Sequence, residues 1–510
     1  MHKKWFGALL LQRVWVSLLI LLQALFIIYA IFTGSVLSVR INRLLTLISL
    51  IVSLYIVSKK DKGAYKLTWV FLILMFPVFG GALYLLFSFQ TSTRRFKKIQ
   101  DTQEHFRPAY DLPGDSYAQA TKTLSHHLPQ IRYLQQYAGF PIYDQTEVSY
   151  YSPGEAFFEA LVPELEKAER YIFLEFFIIE EGKMWNTVLD ILVRKIQQGV
   201  KVRLLYDDIG SFFILPKDYP QQLRRMGIEC EVFNRFRPLM SAVQNNRDHR
   251  KIVSIDGKVA FTGGINLADE YINVYKKHGH WKDAGIRVSG KAAWSLTVMF
   301  LEMWALSARI SEKPDDYYPW KEAPCPVQTD GYIQPYADAP MDSDNVGEHV
   351  YLQIINAAKD YVYITTPYLI VDDSMLSALT LAAKSGVDVR IITPRIWDKR
   401  LVHMTTRSYY RDLTQAGVNI YEYTNGFMHA KTFVSDDHTA TVGTTNLDFR
   451  SLYLHFECGV LMFGSGAVKD IKADFLETLK SCHQITEKDC KANVITRLFQ
   501  DILRLFAPLM

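Results

Sequence analysis

Cysteine is scarce in this chain, and the few cysteines form no pattern that indicates a metal site. The five residues are Cys230, Cys325, Cys458, Cys482 and Cys490. Their number is odd, no Cys-x-x-Cys pair occurs, and the spacings match none of the arrangements that hold zinc. We therefore expect buried free thiols rather than a zinc module.

An excess of one charge sign is also lacking. The 57 Lys and Arg residues nearly balance the 53 Asp and Glu residues, which leaves a net charge of +4. A nucleic-acid-binding domain would be expected to carry a clear basic stripe. With 49% hydrophobic and 22% charged residues, the chain is not an intrinsically disordered protein either. No phosphate-binding loop of the Walker type is present.

Long uncharged apolar runs, by contrast, are present, and they are concentrated in the first 93 residues. The runs 14–32 and 67–87 are each long enough to cross a bilayer as a helix. The run 44–57 is shorter and would cross only if the helix tilts, the bilayer thins or Arg43 reaches the interface. We predict a transmembrane region with two or three spans.

A signal peptide is the main alternative for the first run, because Lys3 and Lys4 precede it. No convincing small-residue cleavage site follows, and two more apolar runs come after it. With three spans, both membrane faces would carry similar numbers of basic residues. The positive-inside rule then leaves open which face carries the rest of the chain.

An internal repeat begins near residue 145. Strand-like apolar runs alternate with helical patterns, and three segments recur in the same order at a near-constant offset. The pairs are 171–177 with 361–367, 199–205 with 386–392, and 227–232 with 417–422. In the last two pairs a glycine ends a helix and a β-branched strand follows. The repeat predicts two α/β units, each built around a largely buried sheet.

These patterns predict six segments along the chain. They are a transmembrane helical region (1–93), a linker (94–144), the first repeat (145–313), a Pro- and Asp-rich connector (314–345), the second repeat (346–485) and an amphipathic C-terminal helix (486–510). The apolar face of the last helix fits either packing on the catalytic core or entry into the membrane interface.

One polar motif occurs in both repeats. Its copies are His249, Lys251, Asp256 and Asn266, and His429, Lys431, Asp436 and Asn446. The His-to-Asn spacing is the same in both copies. Residues two apart on a strand point to one face, so each His and Lys share a face. A turn and a second strand would return the Asn to the same spot.

The residue types in this motif suit chemistry at phosphorus. Lysine and asparagine donate hydrogen bonds to an anionic phosphate, and histidine is a nucleophile or a general acid near neutral pH. Displacement at phosphorus needs one histidine to attack and another to protonate the leaving oxygen, and two copies supply both. A metal site is the alternative, but each copy offers a single His and no thiolate at ligand spacing. We expect no metal and no cofactor.

The two motifs resemble the paired HKD motifs of the phospholipase D superfamily, and the resemblance spans about residues 145 to 485. It implies an α/β fold of two pseudo-symmetric repeats, each a mixed sheet flanked by helices, with one shared active site. By this resemblance the catalytic residues are His249, Lys251, Asp256, His429, Lys431 and Asp436, and the substrate phosphate is bound by Asn266 and Asn446.

The resemblance also implies roles for the two histidines. In many members the first motif supplies the nucleophile, so His249 would form a phosphohistidine and His429 would act as acid and then base. The near symmetry of the motifs leaves the reverse assignment open. Asp256 and Asp436 are expected to brace the turn outside the phosphate shell. Asp283 and Glu457, on later strands, are the candidates for orienting the histidines; ordinary salt bridges are their alternative role.

The membrane region and several loops resemble bacterial cardiolipin synthases. The segments that carry this resemblance are 76–84, 365–373 and 443–451. It implies a multi-pass protein of the bacterial plasma membrane that joins two phosphatidylglycerols into cardiolipin and glycerol, with no nucleic-acid partner. Hydrolysis to phosphatidic acid, another phosphatidyl transfer, a membrane-tethered nuclease and an inactive lipid-binding scaffold are the alternatives.

Overall fold

The computed structural model describes residues 36–60, 62–76, 93–111, 116–235, 246–321, 324–340 and 344–509, with isolated positions 21, 25, 28, 80, 81 and 84. Apart from three isolated positions, the predicted span 14–32 lies outside the described residues. The chain divides into a smaller unit (1–96, 236–246 and 501–510) and a larger unit (97–235 and 247–500).

The described part of the smaller unit includes the helices α1 (Val36–Ser58) and α2 (Gly63–Met75). In the part of the chain that the structure describes, only Val39–Ser58 within α1 is long and apolar enough to cross a membrane. The helix begins earlier than the predicted run 44–57, because it continues through Arg40 and Arg43, which are good helix formers. Many apolar side chains of α1 are exposed, including Leu54 at 63%.

The predicted span 67–87 is not one continuous helix. The helix α2 ends at Met75, and a Cβ built on Gly80 would lie 2.4 Å from the carbonyl oxygen of Leu72. The ring of Tyr84 packs on Trp69, with centroids 5.4 Å apart. Residues eight or more positions apart meet this closely only when the chain reverses direction. Glycine at position 80 has no Cβ and therefore permits the close backbone contact.

Two mixed sheets of matching topology form the larger unit. The strands of the first half are β1 (Thr146–Tyr151), β2 (Tyr171–Phe176), β3 (Lys201–Asp207), β4 (Glu229–Phe233), β5 (Ile252–Ile255), β6 (Val259–Gly263), β7 (His280–Lys282) and β8 (Gly285–Gly290). The first sheet has the order β1-β8-β6-β5-β2-β3-β4. Its strands β2, β3 and β4 are parallel, and the remaining pairs are antiparallel.

The second half repeats this arrangement. Its strands are β9 (Tyr332–Asp338), β10 (Tyr361–Thr365), β11 (Asp388–Pro394), β12 (Asn419–Tyr423), β13 (Gly426–Met428), β14 (Thr432–Ser435), β15 (Thr439–Gly443), β16 (Glu457–Phe463) and β17 (Cys482–Gln484). The second sheet has the order β17-β12-β11-β10-β14-β15-β16-β9, which matches the first strand for strand apart from the added β17. A short parallel pair, β7 with β13, joins the two halves. The predicted fold of two repeats is confirmed.

Helices flank both sheets. They are α3 (Thr93–Tyr110), α4 (Ser116–Thr123), α5 (Leu128–Arg132), α6 (Gly154–Glu166), α7 (Lys183–Gln197), α8 (Asp208–Ser211), α9 (Tyr219–Arg225), α10 (Ala293–Ala308), α11 (Val346–Ala357), α12 (Asp373–Lys384), α13 (Arg400–Gln415), α14 (Phe449–Tyr453) and α15 (Gly466–Leu479). Gly199 and Gly386, which follow α7 and α12, have φ of 88° and 95°. This left-handed conformation lets the chain leave each helix and enter a strand.

One hydrophobic core serves both halves. Buried residues of both sheets belong to a single cluster, and nearly every residue of α10 is buried in it. This explains why α10 is apolar on all sides without being a membrane span. The five cysteines are free thiols; Cys230, Cys325 and Cys458 are buried and the other two are partly buried.

Two segments are more ordered than the sequence indicated. The predicted linker 94–144 contains helices, and its side chains Phe106 and Ile131 are buried. The predicted connector 314–345 contains β9, which pairs with β16 at the edge of the second sheet. Pro335 lies in this strand, and an edge strand tolerates proline because one side needs no partner.

The chain ends with α16 (Val494–Phe506). Within the smaller unit, the Thr68 hydroxyl donates a hydrogen bond of 2.7 Å to the carbonyl oxygen of Leu505. The rings of Phe71 and Phe506 meet edge to face, with centroids 6.1 Å apart. The end of the last helix therefore packs on α2.

Candidate active site

The histidine of each motif lies just before a central strand, and the opposite repeat supplies its backbone partner. The amide of His249, ahead of β5, donates to the carbonyl oxygen of Phe456 at 2.9 Å. The amide of His429, ahead of β14, donates to the carbonyl oxygen of Lys282 at 2.7 Å. These two cross-repeat bonds bring both motifs to one place.

Each histidine ring is also held by a carboxylate from the other repeat. His249 Nδ1 lies 2.9 Å from Oε1 and 3.0 Å from Oε2 of Glu457. His429 Nδ1 lies 2.6 Å from Oδ2 of Asp283. Both carboxylates are fully buried. The two candidate orienting acids thus reach the histidines in a crossed arrangement that follows the pseudo-two-fold symmetry.

This arrangement determines which nitrogen of each ring is available for chemistry. An ionised carboxylate only accepts hydrogen bonds, so Nδ1 of each histidine carries the proton. Nε2 then presents a lone pair. A neutral imidazole with this tautomer can attack phosphorus or accept a proton at Nε2.

The two motif lysines add positive charge at the same place. Lys251 Nζ donates to the carbonyl oxygen of His249 at 2.6 Å, and Lys431 Nζ lies 2.9 Å from His429 Nδ1. Burial lowers the pKa of Lys251 to about 8 and that of Lys431 to about 7. A negatively charged phosphate would offset this burial cost and keep both ammonium groups charged.

Burial also keeps both histidines neutral. It lowers the pKa of His249 well below its ordinary value, and the nearby charges of Lys251 and Lys431 act in the same direction. It lowers the pKa of His429 to about 4, although the Asp283 carboxylate opposes this shift. Burial alone would raise the pKa of Asp283, but His429 and Lys431 hold it below its ordinary value.

A further layer of residues holds the two carboxylates. The Thr444 hydroxyl donates to Glu457 Oε2 at 2.5 Å. At the equivalent position of the first repeat, Gly264 leaves room for Asp283, because a Cβ there would lie 2.0 Å from Asp283 Oδ1. The indole nitrogen of Trp281 lies 3.4 Å from the other oxygen of Asp283.

Aromatic rings line both histidines, and one of them is a third histidine. Phe177 and His455 lie beside His249, with ring centroids 5.1 Å and 5.7 Å away. Tyr271 and Trp281 lie beside His429, at 5.6 Å and 4.9 Å. No role for these four residues is expected from the sequence. Trp281 and His455 each lie two residues before the carboxylate that holds a histidine. Aligning the two repeats at these carboxylates would have identified both residues as candidates for the site.

His455 stands out because both nitrogens of its ring are buried although the residue itself is only partly buried. Neither ring nitrogen has a hydrogen-bond partner among the residues that the structure describes, and Nδ1 lies 3.8 Å from Glu457 Oε1. Burial lowers its pKa to about 4, so the ring is neutral at pH 7.

The motif aspartates lie away from the histidines. Asp256 accepts three hydrogen bonds of 2.8 Å from the amides of residues 169, 170 and 171 at the start of β2. Asp436 accepts three bonds of 2.8 to 3.1 Å from the amides of residues 359, 360 and 361 at the start of β10. Both residues have φ of 53°. Their contacts are those of residues that join a turn to a neighbouring strand, and no contact places them at the reacting atoms in the described structure.

The two motif asparagines differ in their contacts. Asn266 Oδ1 accepts from the amide of Ile178 at 3.0 Å, and its Nδ2 donates to the Tyr271 hydroxyl at 2.7 Å. Asn446 is buried, and its Oδ1 has no partner among the described residues. Phosphate binding by either amide remains a prediction.

A metal ion is a weaker fit for this site than an anion. His249, His455 and Glu457 offer donor atoms within 4.8 Å of one another. However, Glu457 is already engaged by His249 and Thr444. The nearby ammonium groups of both motif lysines would repel a cation and attract a phosphate.

Two known protein families match this chain. The family described as "Cardiolipin synthase, PLD-like domain" matches residues 161–291 and 351–479. The family described as "Phospholipase_D-nuclease N-terminal" matches residues 44–88. The first match covers the two structural repeats and both histidine motifs.

Curated relatives match nearly the whole chain. A "Cardiolipin synthase" of Geobacillus sp. (strain WCH70) is 33% identical over 93% of this chain and 94% of its own length. A "Cardiolipin synthase 2" of Bacillus anthracis is 34% identical over 87% of this chain and 86% of its own. An uncharacterized protein of Streptococcus mutans is 42% identical over 90% of this chain and 99% of its own.

Among solved structures, the phosphatidylserine synthase of Haemophilus influenzae has a similar fold. It matches with a TM-score of 0.56 at 13% identity, over 74% of this chain and 97% of that one. At this identity the likeness concerns the fold alone.

Proposed function

Because this chain belongs to the cardiolipin synthase family of the phospholipase D superfamily and is therefore a phosphatidyltransferase, we propose that it joins two phosphatidylglycerols into cardiolipin and glycerol. The crossed hydrogen bonds from His249 to Glu457 and from His429 to Asp283 carry this proposal. They hold two neutral imidazoles, with Nε2 unprotonated on each, next to two buried ammonium groups, of which Lys431 Nζ lies 3.2 Å from Nε2 of His429.

In the first step, Nε2 of His249 attacks the phosphorus of one phosphatidylglycerol. The bond between phosphorus and the headgroup oxygen breaks, and that oxygen takes a proton from His429 and leaves as glycerol. The phosphatidyl group stays on His249 as a phosphohistidine. His429 must be protonated for this step, and an arriving phosphate would raise its low pKa, because a nearby negative charge favours the imidazolium.

In the second step, a headgroup hydroxyl of another phosphatidylglycerol attacks the phosphohistidine. Nε2 of His429 takes the hydroxyl proton, and the bond between His249 and phosphorus breaks. Cardiolipin leaves, and both histidines return to their starting protonation. Lys251 and Lys431 would stabilise the negative charge that develops on the phosphoryl oxygens in both steps.

Relatives with cardiolipin synthase activity and the apolar helix α1 indicate membrane association. We propose a multi-pass protein of the bacterial plasma membrane in which 14–32 and α1 cross, while the reversed segment after α2 does not. Residues before 14, residues 59–66 and residues 94–98 then share one face, and only Arg40 and Arg43 remain as basic residues on the other. The positive-inside rule would place the catalytic unit in the cytoplasm.

The test is product analysis with purified full-length protein in phosphatidylglycerol vesicles, with His249→Ala as the matched control. We expect cardiolipin and glycerol in equal amounts from the wild type, and neither product from the variant. Phosphatidic acid as the main product would instead identify a hydrolase. Cleavage of DNA without lipid turnover would identify a membrane-tethered nuclease.

A further inference from the structure

The helix α16 exposes a broad apolar face. Five of its apolar side chains are open to solvent by 41% to 82%: Val494, Ile495, Leu498, Phe499 and Ile502. At helical spacing they share one half of the surface, and the polar residues Thr496, Arg497, Gln500, Asp501 and Arg504 occupy the other half. The described residues of α16 therefore form an amphipathic helix with an exposed apolar face.

The end of this helix is attached to the membrane region. Within the smaller unit, Leu505 accepts the hydrogen bond from Thr68, and Phe506 packs on Phe71. Thr68 is five residues into α2, which at 1.5 Å per residue is about 7.5 Å from the start of the helix. The start of α2 follows Lys59, Lys60 and Lys62, residues that belong at a membrane surface.

With the start of α2 at the lipid headgroups, Leu505 would lie at the depth of a helix in the membrane surface, since such helices bury their apolar face about 5 to 10 Å. The exposed apolar residues of α16 are also followed directly in the chain by Leu505 and Phe506, which contact α2.

We propose that α16 is an interfacial helix that lies in the plane of the bilayer, with its apolar face among the acyl chains. The occupant of the apolar face is the lipid bilayer itself. The basic residues Lys488, Lys491, Arg497 and Arg504 in and before the helix favour anionic lipid, which includes phosphatidylglycerol. The helix would tie the end of the second repeat to the surface where the lipid substrates lie.

Depth measurements with a fluorescent dye test this proposal. In full-length protein with Cys482→Ser and Cys490→Ser, the dye is attached at Ile495→Cys or, as the matched control on the opposite helix face, at Arg497→Cys. The three remaining native cysteines are buried. The protein is reconstituted in phosphatidylglycerol vesicles, and quenching is compared between nitroxides on the acyl chains and iodide in the water.

We expect acyl-chain nitroxides to quench the dye at position 495 and iodide to quench the dye at 497. Equal iodide quenching at both positions would overturn the proposal, because both helix faces would then be in water. Protection of 495 from iodide without quenching by nitroxides would also overturn it, since a protein surface, such as a second copy of the chain, would then cover the face.

A second variant tests the apolar contacts themselves without disturbing the fold. Leu498→Gln with Ile502→Gln retains helix-forming residues but removes two large apolar side chains from the face. Each lost side chain should shift the equilibrium between the lipid-buried and the water-exposed helix toward water by roughly tenfold. This factor corresponds to the free energy of burying one large apolar side chain. The paired changes Thr496→Gln and Gln500→Ala on the polar face, which remove no charge, should leave the quenching by nitroxides in place. An unchanged signal in the first variant would contradict lipid contact.

Discussion

The two halves of the active site share one framework but differ in the side chains that surround each histidine. In both, a motif histidine is hydrogen-bonded through Nδ1 to a buried carboxylate of the other repeat. Beside His249 stands the polar ring of His455, whereas the equivalent position beside His429 holds Trp281. Duplication preserved the geometry that orients both imidazoles, and divergence of the neighbours made the two environments unequal.

The two motifs also differ in the residue between His and Lys, which is Arg250 in the first and Ala430 in the second. Arg250 is fully buried, and its Nε donates to the carbonyl oxygen of Glu457 at 3.2 Å. The equivalent residue of the second motif is Ala430, which makes no such bond. The second half-site is joined to the opposite repeat through the backbone instead, because the amides of His429 and Ala430 both donate to the carbonyl oxygen of Lys282, next to the β7–β13 pair.

The largest difference should come from removing each histidine. Either His249→Ala or His429→Ala should lower turnover roughly 10⁴- to 10⁶-fold. A radiolabelled phosphatidyl ester with a 4-nitrophenol leaving group needs no acid, so it should label the His429→Ala protein but not the His249→Ala protein. Labelling of only the His249→Ala protein would reverse the two roles.

The crossed carboxylates should give the next largest effects. Glu457→Gln and Asp283→Asn keep size and shape but lose the charge that holds each Nδ1–H, so each should slow turnover about 10²- to 10⁴-fold. Rapid-quench kinetics should show slower formation of the phosphohistidine in Glu457→Gln. In Asp283→Asn the breakdown of the phosphohistidine should also be slow. If both variants slowed formation and breakdown of the phosphohistidine equally, His249 and His429 would not have separate roles as nucleophile and as acid and base.

A smaller effect is expected from the hydroxyl that supports Glu457. Thr444→Val keeps the shape but removes the hydrogen bond to Oε2, which should slow the formation of the phosphohistidine about tenfold. Thr445→Val is the matched control, because the Thr445 hydroxyl has no partner among the described residues. Equal loss in both variants would indicate a packing effect rather than support of the carboxylate.

The smallest effect concerns pH and the third histidine. The pKa of His455 is about 4 in the folded protein and near 6.5 when unfolded, so the unfolded chain binds more protons between these values. Stability is therefore lost as pH falls from about 6.5 toward about 4. His455→Asn should reduce this loss by up to about 3 kcal/mol in unfolding experiments in detergent. The same pH dependence in both proteins would show that His455 contributes nothing to it.

The internal repeat and the paired motifs could be read from the sequence because both depend on local spacing. Glycine after a helix, a β-branched strand and a His-x-Lys pair are set by neighbours along the chain. The resemblance to the phospholipase D superfamily supplied Asp283 and Glu457 as candidates for holding the histidines. Local spacing could not show that each acid reaches the histidine of the other repeat, since that depends on how the two sheets associate.

Sequence by itself therefore determined the fold class, the two motifs and the apolar character of the first 93 residues. Only the tertiary structure decided the crossing of the carboxylates, the placement of His455 beside His249 and the reversal of the chain after α2. Each of these depends on contacts between residues far apart in the chain or on a close backbone approach such as that of Gly80 to Leu72. Periodicity records which face of an element is buried, but it does not record which partner covers that face.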